Sequence, residues 1–368
     1  MLIRSFVASF LLLAAPAFLQ AEETPPVPLA VVGLEHDHAR LLFPMLKGRG
    51  DLKLVGIVES DPEIIGYYEE HFHLCPSLFF PTFGALVAKE KVRAVAAFTS
   101  TAGHRAVIEE CAPLGIDVMM EKPMATNLDD ARAIAAAAAK GGIEVVVNFE
   151  TTWYPSNALA FDLVNQRRLI GSPRKILVQD GNPGPSAIKA TPYFLKWLTD
   201  PALGGGANMD FGCYGADLVT WIMKGERPKT VTAVMQNFQP ATYSRVEDES
   251  TIVLGYPTTQ AVIQASWNWP YGRKDMEIYG ESGSVMVPNR EFVRVKAGDE
   301  PARQQNALAI TGPCAEQLSY LSAVVRGEIK PTGMSSIALN MIVTEILDAA
   351  RESARTGRTV PLPPRPAW

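Results

Sequence analysis

The sequence has little cysteine: Cys75, Cys111, Cys213 and Cys314 stand far apart, and no two have C-x-x-C spacing. This excludes a cysteine-built zinc or dithiol redox motif, and an oxidising compartment would permit disulfides without requiring them. Cys213 reads as a small buried apolar thiol. Basic excess is missing as well, since 34 Lys and Arg face 39 Asp and Glu for a formal charge of -5. Counterion release from nucleic acid and attraction to an anionic membrane both need basic patches, so neither partner is expected. There is no internal repeat and no low-complexity tract. What remains is 368 residues, 47% apolar and 20% charged, enough for two domains with separate cores.

Residues 1–21 differ from the rest. Arg4 is the only charge, Phe6 to Leu13 is mostly apolar, and small residues lead to Glu22-Glu23. This is the layout of a Sec-type signal peptide, cleaved after Ala17 or after Ala21. The apolar stretch is shorter than the ~20 residues of a bilayer span, so stable membrane insertion after processing is not expected. No Cys follows it for a lipid anchor, and no twin arginine precedes it. The expected location is periplasmic or secreted.

In residues 25–150, apolar runs alternate with amphipathic stretches. Strands are expected at Leu29-Val32, Leu52-Val58, Val92-Phe98, Asp117-Met120 and Val145-Asn148. Helices are expected at Leu41-Lys47, Ile64-Phe72, Arg105-Ala112 and Asp129-Ala139. That alternation predicts an α/β fold with a Rossmann-like, doubly wound parallel sheet. Residues 151–360 instead show longer loops and six alternating strands between Ile176 and Pro288, closed by helices at Cys314-Val325 and Ser335-Arg355. They predict a second α/β domain with a large, mostly antiparallel open sheet.

Three segments carry chemistry. The first strand-to-helix turn reads Gly33-Leu34-Glu35-His36-Asp37-His38, where a dinucleotide fold wants G-x-G-x-x-G for backbone approach to a diphosphate. Only the first glycine is present. Glu35 adds a negative charge at the second position, and His38 takes the third. Glu59 ends the second strand, where a carboxylate accepts from a ribose and repels a 2′-phosphate, which favours NAD over NADP. Glu121-Lys122-Pro123 follows the Asp117-Met120 strand, at the end of the sheet where ligands bind. A lysine there can neutralise developing alkoxide charge. The third segment runs from Gly204 to Asp217, with Asp210, Tyr214, Asp217 and Trp221 on one stripe of a single helix. An acid and a phenol so aligned suit proton transfer from a hydroxyl.

Together with Thr99, His104, Leu169-Ile170-Gly171-Ser172 and Tyr279-Gly280-Glu281-Ser282-Gly283, these segments resemble the Gfo/Idh/MocA family over nearly all of the chain beyond the leader. The resemblance implies an N-terminal Rossmann domain, a C-terminal domain whose open sheet often dimerises, and NAD(P)-linked oxidation of sugars or polyols. It makes Lys122, Asp210 and Tyr214 the catalytic residues, with Tyr214 the proton acceptor, its phenolate stabilised by Lys122, and Asp210 orienting substrate or assisting the proton relay. Gly33, Leu34, Glu35, His38, Glu59, Thr99, His104, Glu121 and Lys122 would meet the cofactor. Trp153, Tyr154 and Trp197 are candidates to stack on a sugar, with Trp267 and Trp269 behind them. No metal is expected: His36-x-His38 invites one, but it falls in the cofactor turn and no remote ligand is evident. Lys122 and Tyr214 are expected to serve charge rather than packing, so their removal should cost little stability. Two other readings keep the fold. One is glycoside cleavage through transient oxidation and elimination, and the other is a sugar-binding protein without cofactor affinity.

Overall fold

Apolar runs of four to six residues that stay buried along their whole length belong inside a sheet covered on both faces. The computed structural model, which describes residues 25–364, places them so. The leader lies outside the described residues. Strands β1 (Val27–Val32), β2 (Leu52–Val58), β3 (Phe79–Phe80), β4 (Ala94–Ala97), β5 (Asp117–Glu121) and β6 (Val145–Asn148) pair in the order β3-β2-β1-β4-β5-β6. All five pairings are parallel. This is the doubly wound order, and its reversal between β1 and β4 opens a crevice at the carboxyl ends. The helices that cover it are α1 (Ala39–Leu46), α2 (Pro62–Phe72), α3 (Phe83–Val87), α4 (His104–Cys111) and α5 (Leu128–Gly141). Side chains cap α2 and α5: Asp61 accepts from the Glu63 amide and Asn127 from the Asp130 amide.

After α6 (Pro155–Phe161) the chain enters a nine-stranded sheet. Its strands are β7 (Pro173–Gly181), β8 (Thr230–Gln236), β9 (Glu249–Gly255), β10 (Gln260–Ser266), β11 (Arg273–Gly280), β12 (Gly283–Val287), β13 (Phe292–Ala297), β14 (Arg303–Asn306) and β15 (Val360–Pro361). The spatial order is β14-β13-β12-β11-β7-β10-β9-β8-β15, antiparallel except where β7 meets β10. Inserted between β7 and β8 are α7 (Pro192–Leu198), α8 (Ala207–Asp210) and α9 (Gly212–Ile222). The last helices are α10 (Gln317–Val325) and α11 (Ile337–Thr356). Leu318, Leu321 and Val324 of α10 return to the core of the first domain, beside Leu29 and Val31. Across the boundary, Asp348 of α11 accepts from the Leu128 amide at 2.6 Å.

Several elements differ from the sequence reading. The strand expected at Val92-Phe98 shrinks to β4, and α6, α7 and β13 to β15 had not been expected. The single helix carrying Asp210, Tyr214, Asp217 and Trp221 is two: α8 ends at Asp210, Phe211 departs from helical geometry at φ -113°, and α9 starts at Gly212. Asp217 is fully buried within α9. Trp221 stacks on Phe161 with ring centroids 4.4 Å apart.

Candidate functional site

Lys122 sits just past the carboxyl end of β5, and Asp210 ends α8. The glycines before α8 let the chain come close: a Cβ on Gly205 would lie 2.1 Å from the Leu198 carbonyl oxygen. The Lys122 ammonium donates to Asp210 Oδ1 at 2.6 Å and to the Asp210 carbonyl at 2.9 Å. Trp267 Nε1 donates to the other carboxylate oxygen at 3.0 Å. Burial alone would pull the lysine down, but Asp210 outweighs it, with Glu121 behind, and holds the ammonium above the ordinary lysine value. Cys213, as expected, is a buried free thiol, pointing at the Asp210 carbonyl.

Tyr214 lies between two cations, its ring centroid 4.9 Å from Lys122 Nζ and 4.3 Å from Lys274 Nζ. Both ammonium groups face the ring. Burial is the largest influence on the phenol and pushes it well above its ordinary value, with Glu150 adding to the effect. In this geometry both cations meet the ring face, and burial favours the protonated phenol.

These groups line a cavity of about 490 Å³ together with His38, Glu150 and Tyr154. Glu150 was not among the expected site residues. It accepts from Tyr154 Oη at 2.5 Å and from Lys274, and although burial opposes it, the lysine holds its carboxyl down to about 2. Its signal was the one used for Lys122, a polar residue just past a parallel strand. Lys274 had no local signal, since only the pairing of β11 with β7 brings it there.

The cofactor-turn residues are less uniform than expected. Gly33 adopts φ +75°, and a Cβ there would stand 2.6 Å from Thr99 Cγ2, so this glycine is required. Glu59 reaches across to accept from the Leu34 amide at 3.1 Å. Glu35 Oε2 turns toward β4 and accepts from the Ser100 amide at 3.1 Å, while burial raises its pKa. His104 is enclosed: its Nδ1 faces the carbonyls of Pro123 and Met124 at 3.1 and 3.2 Å, and burial lowers it to about 4. It braces the loop behind Lys122 instead of facing the cavity.

Of the three expected stacking residues, only Tyr154 lines the cavity. Trp197 is 4% exposed, packed on His36 and Phe194, and donates to the Glu35 carbonyl at 3.4 Å. Trp153 donates to Asn148 Oδ1 at 2.9 Å and packs on Tyr320. Trp269 instead stacks under Arg273, 4.4 Å from its guanidinium.

Asp217 is fully buried, neither carboxylate oxygen has a hydrogen-bond partner among the described residues, and desolvation raises its pKa well above the ordinary value. An acid that keeps its proton in the fold but loses it on unfolding near pH 4 makes stability fall as pH rises from there toward the folded-state value. Relative to Asp217→Asn, the wild type should lose up to about 1.4 kcal/mol per pH unit over that window. Urea melts at pH 5, 6 and 7 check this, and parallel curves for the two proteins would refute it.

The comparisons agree with this architecture. The pattern described as "Oxidoreductase family, NAD-binding Rossmann fold" matches residues 27–149, and "GFO/IDH/MocA C-terminal domain" matches residues 160–286. The chain belongs to the Gfo/Idh/MocA oxidoreductase family, with an NAD-binding Rossmann domain at its N-terminal side. It is 30% identical to a trans-1,2-dihydrobenzene-1,2-diol dehydrogenase of Xenopus laevis over 262 residues, covering 68% of this chain and 74% of that protein. It is 23% identical to an inositol 2-dehydrogenase of Rhizobium meliloti over 331 residues, covering 86% and 93% respectively. Among solved structures, an aldose-aldose oxidoreductase of Caulobacter crescentus, complexed with glycerol, superposes with a TM-score of 0.77 at 23% identity. That match covers 92% of this chain and all of the other.

Proposed function

We infer that this chain is an exported dehydrogenase that oxidises a hydroxyl of a saccharide or polyol with NAD. The observation that carries the reading is the buried Lys122–Asp210 pair beside Tyr214, on the wall of a cavity at the carboxyl end of a doubly wound sheet. The relatives named for polyol, diol and aldose chemistry support the substrate class.

The turn fits a dinucleotide at its adenosine side. Gly33 permits close backbone approach, and Glu59 sits at the end of β2, where a ribose is held and a 2′-phosphate is repelled. The departure is Glu35, whose carboxylate is turned onto the Ser100 amide and whose pKa is raised by burial. Gly33, Leu34 and Glu59 would hold the nucleotide, and nicotinamide, when bound, supplies the hydride acceptor.

The chain's own residues manage the proton and the charge. Lys122 places a fixed cation where an alkoxide develops, and Asp210 keeps that cation oriented. Tyr214 gives its proton to a carbonyl oxygen in the reductive direction and must be deprotonated first in the oxidative one. Oxidation should therefore accelerate from neutral to alkaline pH, and Tyr214→Phe should abolish that rise together with most turnover. A pH-rate profile of both proteins is the check, and a variant that keeps the wild-type slope would remove Tyr214 from the proton path. Export and assembly through the open sheet complete the proposal. The N-terminal sequence of protein from the periplasm or medium, and its mass in solution, test those two parts.

A further inference from the structure

The turn that departs from the dinucleotide fingerprint gathers a donor set of its own. One donor atom each from His36, His38 and Glu121 lie within 4.8 Å of one another, which supplies the remote ligand that the sequence reading had found missing. We propose that His36, His38 and Glu121 form a binding site for one first-row divalent metal ion, of the zinc class, opening toward the cavity.

Two imidazoles and one carboxylate form a donor set used for zinc and for other first-row ions with open positions. His38 Nδ1 and Glu121 Oε2 are already 2.9 Å apart, near the separation of two donors on one ion. Bonds of about 2.0–2.2 Å set donors about 3–3.5 Å apart, so the third ligand closes by rotating an imidazole.

The surroundings favour an ion. Asn148 Nδ2 donates to Glu121 Oε1 at 2.8 Å, fixing the carboxylate as outer partners of metal ligands do. His36 is 1% exposed. Its Nδ1 accepts from the His38 amide at 3.2 Å and its Nε2 has no hydrogen-bond partner among the described residues, so the ring offers Nε2 to an ion once Nδ1 carries the proton. Charge is balanced as well. Lys122 is matched by Asp210 and Lys274 by Glu150, leaving the Glu121 carboxylate as the anionic ligand.

Access lies on one side only. His36 and Glu121 are buried, whereas the His38 side chain is 31% exposed and lines the cavity. Three protein ligands with the fourth position open toward a cavity is the catalytic rather than the structural pattern of zinc. The open position would take an oxygen of water, or of a hydroxyl or carbonyl group of the cavity's ligand.

Cobalt(II) is the probe, because its visible bands report both binding and geometry. The full-length processed protein is stripped with chelator and titrated with cobalt, then zinc is added to displace it. The expected result is one equivalent bound, bands of low-coordinate cobalt, and full displacement by zinc. His38→Gln and Glu121→Gln should each weaken binding at least 100-fold, and Asn148→Ala about 10–100-fold as an outer partner. Thermal melts of the stripped variants establish that each is folded. Absence of a stoichiometric site in the wild type, or binding that persists undiminished in folded His38→Gln and Glu121→Gln, would overturn the proposal and leave His38 and Glu121 as a hydrogen-bonded pair.

Discussion

Lys122→Met is expected to lower turnover by at least about 10²–10³-fold, the range for losing one preorganised electrostatic group. It should also destabilise the protein, because the lysine is buried against Asp210. The lysine is 4% exposed and its partner Asp210 11%. Methionine fills much the same volume but leaves the Asp210 carboxylate with Trp267 as its remaining side-chain partner. Stranding one member of a buried pair costs about 3–5 kcal/mol. The double variant Lys122→Met/Asp210→Asn removes both charges and should recover most of that stability while staying inactive. Denaturant melts of the three variants give the coupling directly. Additive losses would show that the pair is worth nothing to the fold, and near-wild-type turnover in Lys122→Met would take the lysine out of the reaction.

The second large effect is expected at Glu35. A full charge about 5 Å from a phosphate charge, at an effective dielectric near 20, is opposed by about 3 kcal/mol. The Ser100 hydrogen bond and the raised pKa reduce that figure, so it is an upper bound. Glu35→Gln keeps the shape and removes the charge, and should tighten NAD binding about tenfold. Glu35→Gly also opens the turn to backbone approach, and should tighten it by up to about 100-fold. The sign with pH follows: protonation of Glu35 removes the repulsion, so wild-type affinity should rise as pH falls while that of Glu35→Gln stays level. Isothermal titration at fixed salt reads all three proteins. Unchanged affinity in both variants would mean that the carboxylate does not meet the nucleotide.

Much of the fold was legible because parallel strands buried on both faces leave continuous apolar runs, and β2 and β6 fall where such runs predicted them. What was missed carries no such run. Strand β14 is Arg-Gln-Gln-Asn on a sheet edge, and β15 is two residues held by pairing with β8. Helix periodicity was followed through Phe211 because nothing in Asp210-Phe211-Gly212 interrupts it locally. The break is set by how the glycine loop docks on the end of α7 and the 240s loop, where Gly206 donates to the Leu198 carbonyl and Ala207 to the Glu247 carbonyl.

The site divides in the same way. Lys122 and Asp210 could be read because strand ends and glycine turns mark them, and their pairing at 2.6 Å joins two marked segments. Trp197 could not. An aromatic near the catalytic helix suits a sugar platform and a core equally, and only the packing of α7 on His36 separates them. Lys274 and the grouping of Glu121 with His36-x-His38 depend on register and on contacts 83 residues apart, which local pattern does not encode.

The most direct test of the central claim is the absorbance of reduced nicotinamide when the purified processed protein and NAD are mixed with a panel of polyols and aldoses. Reduced nicotinamide should grow in step with oxidised product for at least one member, and not at all with Lys122→Met. Saturable sugar binding with no nucleotide binding, or release of an aglycone from a glycoside with the nicotinamide unchanged at the end, would contradict the account.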